Sequence, residues 1–281
     1  MIRAAIGAAF LTAMATPSTL VAQQQPATAA TKADVPDFSG FWAPSRQQHP
    51  YNADMVAKLP PNTVMMDDAS YIEFPMGEYG GLDVKPEALA KAAEWRPAEA
   101  MKLTNVCRVS SVIYTMQGPF PFEIYQTPEM IVFKLEYFDQ TRIIFMDGRP
   151  HPPKDAPHSN LGHSVGRWEG RDLVIETTHL LPSTITNNGL DHSENAIFVE
   201  RYRLSDDGKT LEGTQWFTDP ETVNNNGARY MKWNAQPGNY VYPYNCDPSF
   251  AVEYDQIEEG VATEGEAEVT GTAQTMGVTG Q

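Results

Sequence analysis

Basic side chains are scarce in this chain of 281 residues: 20 lysines and arginines stand against 36 aspartates and glutamates, for a formal net charge of −16. That field repels phosphate backbones and anionic lipid surfaces, so neither nucleic acid nor a membrane is an expected partner. Cysteine is scarcer still. The two thiols, Cys107 and Cys246, lie too far apart in sequence for a zinc ribbon, a C-x-x-C redox pair or an iron–sulfur nest, all of which need clustered thiolates. Histidine spacing also lacks H-x-H, H-x-x-x-H and H-E-x-x-H, so no metal cofactor is expected; the competing idea is a loop-assembled site of His151, His163 and His192. Uninterrupted apolar runs of the ~20 residues that a spanning helix needs are missing as well. With 22 prolines and 20 glycines the chain turns often, which disfavours coiled coils and helical solenoids.

What is present begins with an export signal. Arg3 precedes the apolar run Ala4 to Leu11, and small residues follow, giving cleavage after Ala15 or Ala22; residues 1–22 are taken as the signal peptide. No cysteine lies near that point, so a lipid anchor is not indicated, and the mature protein is expected in the periplasm or outside the cell. Residues 23–36 lack apolar periodicity and read as a disordered linker. The stretch 257–281 has five glutamates, no base and no aromatic, and reads as a disordered acidic tail. Between them, residues 37–256 form the expected single domain, which opens irregularly with Phe38-Ser39-Gly40-Phe41-Trp42. One helix is expected from Glu87 to Trp95, opened by Pro86 and closed by Pro97.

From Pro121 onward the hydrophobic period becomes two. Eight strands follow: Phe122 to Gln126, Met130 to Phe138, Thr141 to Met146, His163 to Trp168, Asp172 to His179, Ala196 to Leu204, Thr210 to Thr218 and Ala228 to Asn234. A meander of this length exposes its edges unless it closes, so the expected fold is mainly all-β, an antiparallel up-and-down, lipocalin-like barrel with an irregular N-terminal segment; a two-sheet sandwich is the alternative. The connections at Asp139-Gln140, Glu169 to Arg171 and Ser205 to Lys209 are short. Those at Asp147 to Gly162, Leu180 to Asn195 and Asp219 to Gly227 are long, and in a meander they share one end, where a ligand site is expected.

Five of the six histidines fall on that end in this reading. His151, His163 and His192 are the candidate acid–base groups, with Asp147, Arg149, His179, Glu194 and Glu200 as candidate ligand contacts. His158 is set aside as a solvated loop residue, and Glu200 has an alternative role as a structural partner of an arginine such as Arg142. Gly162-His163-Ser164-Val165-Gly166 fits G-x-S-x-G, but a Pro-rich loop precedes it and a hairpin follows, so the strand–turn–helix of a serine hydrolase is absent from the pattern. Gly208-Lys209-Thr210 is a turn, because Arg203 stands where a phosphate loop has its first glycine. An even count of cysteines in an exported chain points to a Cys107–Cys246 disulfide.

The strings Phe145-Met146-Asp147-Gly148-Arg149-Pro150-His151-Pro152, Gly162 to Gly170, Leu173 to Thr178, His192-Ser193-Glu194 and Glu200-Arg201-Tyr202-Arg203 resemble those of a large group of exported bacterial proteins of unknown function. The resemblance covers roughly Asn105 to Asp247. It implies export and a lipocalin-like barrel and brings no activity with it. Two departures from the group's pattern are Arg171 and a longer insertion around Leu181 to Gly189. Residue chemistry supplies the functional expectation: a small, partly hydrophobic organic ligand at a histidine-rich mouth, with cofactor-independent lyase, isomerase or hydratase chemistry. A carrier without turnover is the contrasting reading, and a metal-dependent or serine hydrolase stands behind both.

Overall fold

The structure is a computed structural model and describes residues 35–45, 50–66 and 74–252. The expected signal peptide, nearly all of the linker and the acidic tail lie outside the described residues. The strands are β1 (Gly40–Pro44), β2 (Thr63–Met65), β3 (Phe122–Gln126), β4 (Met130–Leu135), β5 (Thr141–Phe145), β6 (His163–Glu169), β7 (Asp172–Thr178), β8 (Ser183–Thr184), β9 (Asp191–His192), β10 (Ile197–Leu204), β11 (Thr210–Thr218) and β12 (Asn226–Ala235). Short helices α1 (Ala53–Val56), α2 (Pro86–Ala93), α3 (Pro97–Ala100) and α4 (Val112–Thr115) fill the N-terminal half. Helix α2 sits where the sequence places its one helix, with Pro86 in the first turn, where a missing N–H costs nothing.

The protein is mainly β, and nine strands close into a barrel in the order β1-β3-β4-β5-β6-β7-β10-β11-β12, with β1 returning to β12. Closure rests on Trp42, which is opposite Phe122 on one side and Ala235 on the other. The aromatic opening, read from sequence as irregular, is therefore the ninth strand. Its neighbouring Phe41 and Trp42 are both buried, so no period of two shows, and the segment becomes a strand because closing the sheet satisfies two otherwise open edges.

Nine is odd, and a closed ring of odd strand number cannot alternate direction throughout. The parallel contact needed falls between β5 and β6, where Ile144 pairs with Ser164 and Phe145 with Val165. This corrects the purely up-and-down expectation. Connection 147–162 does not turn back at one end but returns the chain along the barrel to start β6 beside β5. The turn at residues 136–140 consequently joins the elaborated end with connections 179–196 and 219–225, while the turns at 170–171 and 205–209 occupy the other.

Alternation sorts the side chains of each strand. Leu173, Ile175 and Thr177 of β7 face inward and Val174, Glu176 and Thr178 outward, because the first two join the core and Thr177 bonds the buried Arg142. Aromatics crowd the inner face: Phe122 stacks on Phe133 at 5.4 Å, and Tyr202 lies 5.7 Å from Trp233 and 5.9 Å from Phe133. Gly213 is required there, since a Cβ would come within 2.9 Å of the Trp233 ring. Phe38 and Trp168 meet edge to face at 5.4 Å, and Phe38 is wholly buried.

Within this core lies a polar network. Arg142 donates from Nη2 to Glu200 at 2.5 Å and to Thr177 at 2.8 Å, and from Nε to Ser164 at 3.2 Å; the Tyr202 hydroxyl donates to the other Glu200 oxygen at 2.5 Å. Every one of these side chains is buried. Cys107 and Cys246 form a disulfide, with Cα atoms 5.8 Å apart, which ties the segment before α4 to the chain that follows β12. A disulfide is compatible with an extracellular or periplasmic protein. No helix among the described residues is long and apolar enough to cross a membrane.

Candidate histidine cluster on the barrel wall

The crossover gathers the chemistry. Outward-facing Phe145, His163, Glu176 and Thr178 of β5, β6 and β7 form a strip of barrel wall, and connection 147–162 lies over it. Gly162 permits the close approach: its φ is +62°, and a Cβ there would meet the Thr178 carbonyl at 2.4 Å. His151 comes down onto the strip, with its Nδ1 3.2 Å from His163 Nδ1 and 3.0 Å from Thr178 Oγ1, and its Nε2 3.2 Å from Glu176 Oε1. His179 follows β7 at φ +58°, an uncommon backbone for a residue with a side chain, and the bend brings its Nδ1 to 2.8 Å from Thr178 Oγ1. His158 packs over the His179 ring at 5.1 Å.

Carbonyl oxygens only accept, so the 2.9 Å contact to the Pro153 carbonyl puts a proton on His179 Nε2. With a neutral His179 ring, Nδ1 accepts the Thr178 hydroxyl proton, and the Thr178 oxygen is left to accept from His151 Nδ1–H. The lone pair of His151 is then on Nε2. That atom is buried, without a hydrogen bond, and faces the Glu176 carboxylate. A proton that reaches these two acceptors is held between them, and the charged pair so formed is stabilised in place. Burial lowers the His151 pKa, and the neighbouring His179 adds to this, while Glu176 pulls the other way. The His163 pKa is lowered by burial first, then by His151, His179 and Arg149. Both rings are thereby kept neutral and able to accept a proton near neutral pH.

One flank of the cluster is apolar and cationic. His163 stacks on Phe145 at 5.2 Å, and the Arg149 guanidinium lies 3.8 Å from the centre of the same ring. Asp147 holds Arg149 Nε at 2.9 and 3.0 Å and Nη2 at 2.5 Å, and these bonds keep the Asp147 carboxyl down to about 2. The Asp-Gly-Arg turn that makes this clamp is local, its partners two residues apart.

The structure thus brings together Asp147, Arg149, His151, His163 and His179, on the outer wall rather than inside a mouth. Glu200 is elsewhere, inside the barrel with Arg142, the structural role that was the alternative reading. His192 is also separate: its Nε2 is 2.7 Å from Ser111 Oγ, its Nδ1 2.8 Å from the Ser193 carbonyl, and both partners of the Ser111–His192 pair are buried in the cap over the elaborated end. The wall site is therefore not completed by His192. Glu194 is exposed on that cap. Alternation within a segment could not show which face a strand turns outward, so Glu176 and Thr178 were missed; both alternate with Leu173 and Ile175, and that was the available signal. Among the described residues no group of three or more histidines, cysteines, aspartates or glutamates is placed to hold a metal ion.

No protein-family model matches the chain, and no curated protein matches it. Fold and site define a closed nine-stranded β-barrel with a histidine–carboxylate cluster mounted on its outer wall.

Proposed function

We propose that this is an exported barrel protein that binds a small, partly hydrophobic organic molecule at the wall cluster and catalyses cofactor-independent proton transfer there, as an isomerase or lyase. The observation that carries the reading is the placement of His151, whose Nε2 lies 3.2 Å from a Glu176 carboxylate oxygen while Thr178, itself bonded to His179, holds Nδ1 on the opposite side of the ring. A proton leaving a carbon acid passes to the Glu176–His151 pair, and the electron pair left behind spreads into an adjacent carbonyl as an enolate. Return of the proton at the same or a neighbouring atom completes exchange or isomerisation. His163 borders the pair and Phe145 supplies the apolar contact.

Solvent-deuterium incorporation into phenylacetone and phenylpyruvate, followed by mass spectrometry, tests this. Native protein is expected to exchange at least one of them well above the buffer rate, and His151→Gln to lose about 100-fold or more of that rate, the usual worth of a positioned base. Exchange unaffected by His151→Gln overturns the assignment of the base. Saturable binding without exchange leaves a carrier.

A further inference from the structure

Resting on the proposed proton-transfer site, we infer that its ligand carries a carboxylate, which the free edge of Arg149 receives. A guanidinium has two edges able to make paired hydrogen bonds, one through Nε and Nη2 and one through Nη1 and Nη2. Asp147 occupies the first. It takes Nε with both oxygens and Nη2 with one, and among the described residues nothing bonds Nη1. The second edge is thus left open on a side chain that is 46 % exposed.

Three features keep that edge in place. Asp147 holds the turn, since one of its oxygens also accepts the Arg149 backbone N–H at 3.2 Å. Phe145 supports the flat face of the guanidinium at 3.8 Å, a stacking that a lysine ammonium would not reproduce. His163 lies on the same aromatic ring at 5.2 Å and feels the charge of Arg149, so an anion held by Arg149 is within electrostatic reach of that imidazole. The local charge also argues for a ligand that brings one negative group only. Asp147 already offsets Arg149, and Glu176 stands across the cluster, so a dianion such as phosphate meets net repulsion in a protein of charge −16. A monoanionic organic acid with an apolar body fits this balance.

Imidazole signals followed by NMR at pH 7 provide the test, with benzoate as the probe, benzyl alcohol as its neutral counterpart and inorganic phosphate as the dianion. Benzoate is expected to shift the His163 and His151 resonances saturably, and benzyl alcohol and phosphate to bind about tenfold more weakly or worse. Arg149→Gln should weaken benzoate about tenfold while leaving benzyl alcohol unchanged, and Arg149→Lys should recover less than half of the lost affinity because it has no second edge. Both variants should unfold at the native temperature, since Arg149 is exposed. If benzyl alcohol matches benzoate, or Arg149→Gln binds benzoate as native protein does, the anion site is refuted while the proton-transfer reading stands. If no probe moves either imidazole, the anion site falls together with the wall site as a place for small organic ligands.

Discussion

Substitution of Glu200 by glutamine removes one charge from the centre of the barrel without removing its shape. The native carboxylate accepts from Arg142 Nη2 and from the Tyr202 hydroxyl, both at 2.5 Å, and neither Arg142 nor Glu200 is more than 1 % exposed. A neutral amide in that place would leave the guanidinium charged in a site that cannot solvate it, with Thr177 and Ser164 as its remaining partners and Nη1 already unbonded. Breaking one side of a buried ion pair costs about 3–5 kcal/mol, because the surviving charge is uncompensated. For a domain of this size each kcal/mol lowers Tm by about 2–4 °C, so Glu200→Gln should unfold roughly 6–20 °C below the native protein. Replacing both partners, as Arg142→Met with Glu200→Leu, should cost much less than the single change, because no charge is then stranded. Thermal and urea unfolding followed by circular dichroism measure both. A Glu200→Gln protein within about 0.5 kcal/mol of native, or a double variant worse than the single, would refute the argument that the uncompensated charge sets the cost.

Reduction of the Cys107–Cys246 bridge should lower the urea midpoint: in the chain-entropy model, closing so long a loop contributes about 4–5 kcal/mol, and thiol titration of the unreduced, denatured chain should find no free thiol. Acid should destabilise the fold through His192, whose pKa burial lowers. With its folded pKa below the unfolded value of about 6.5, its contribution is complete above that pH and is lost as the pH falls through 6.5 towards the folded value, where the unfolded chain binds the extra proton. His192→Gln should flatten the stability profile below about pH 6.5, and an unchanged profile would place the titration elsewhere.

Period and punctuation in the sequence placed eight of the strands, β3 to β7 and β10 to β12. Phe122–Gln126 and Thr210–Thr218 lie where the alternation puts them, and β4 is shorter than expected only because Glu136 to Asp139 turn early. Alternation is a local steric property, so it survives in one dimension. The disulfide follows from an even count of two cysteines in a chain whose first residues read as an export signal. Partner choice across the barrel is different in kind. Whether β5 lies parallel or antiparallel to β6 depends on how many strands complete the ring, and the ninth was an aromatic stretch whose adjacent buried Phe41 and Trp42 show no alternation. That parallel contact within the ring moved connection 147–162 from the mouth onto the outer wall, carried His151 to Glu176 and Thr178, and separated both from His192 and Glu200. Sequence named the residues able to carry chemistry. Ring closure decided which of them meet, because contact between distant segments is fixed by the geometry of the whole sheet and leaves no trace in the spacing of any one of them.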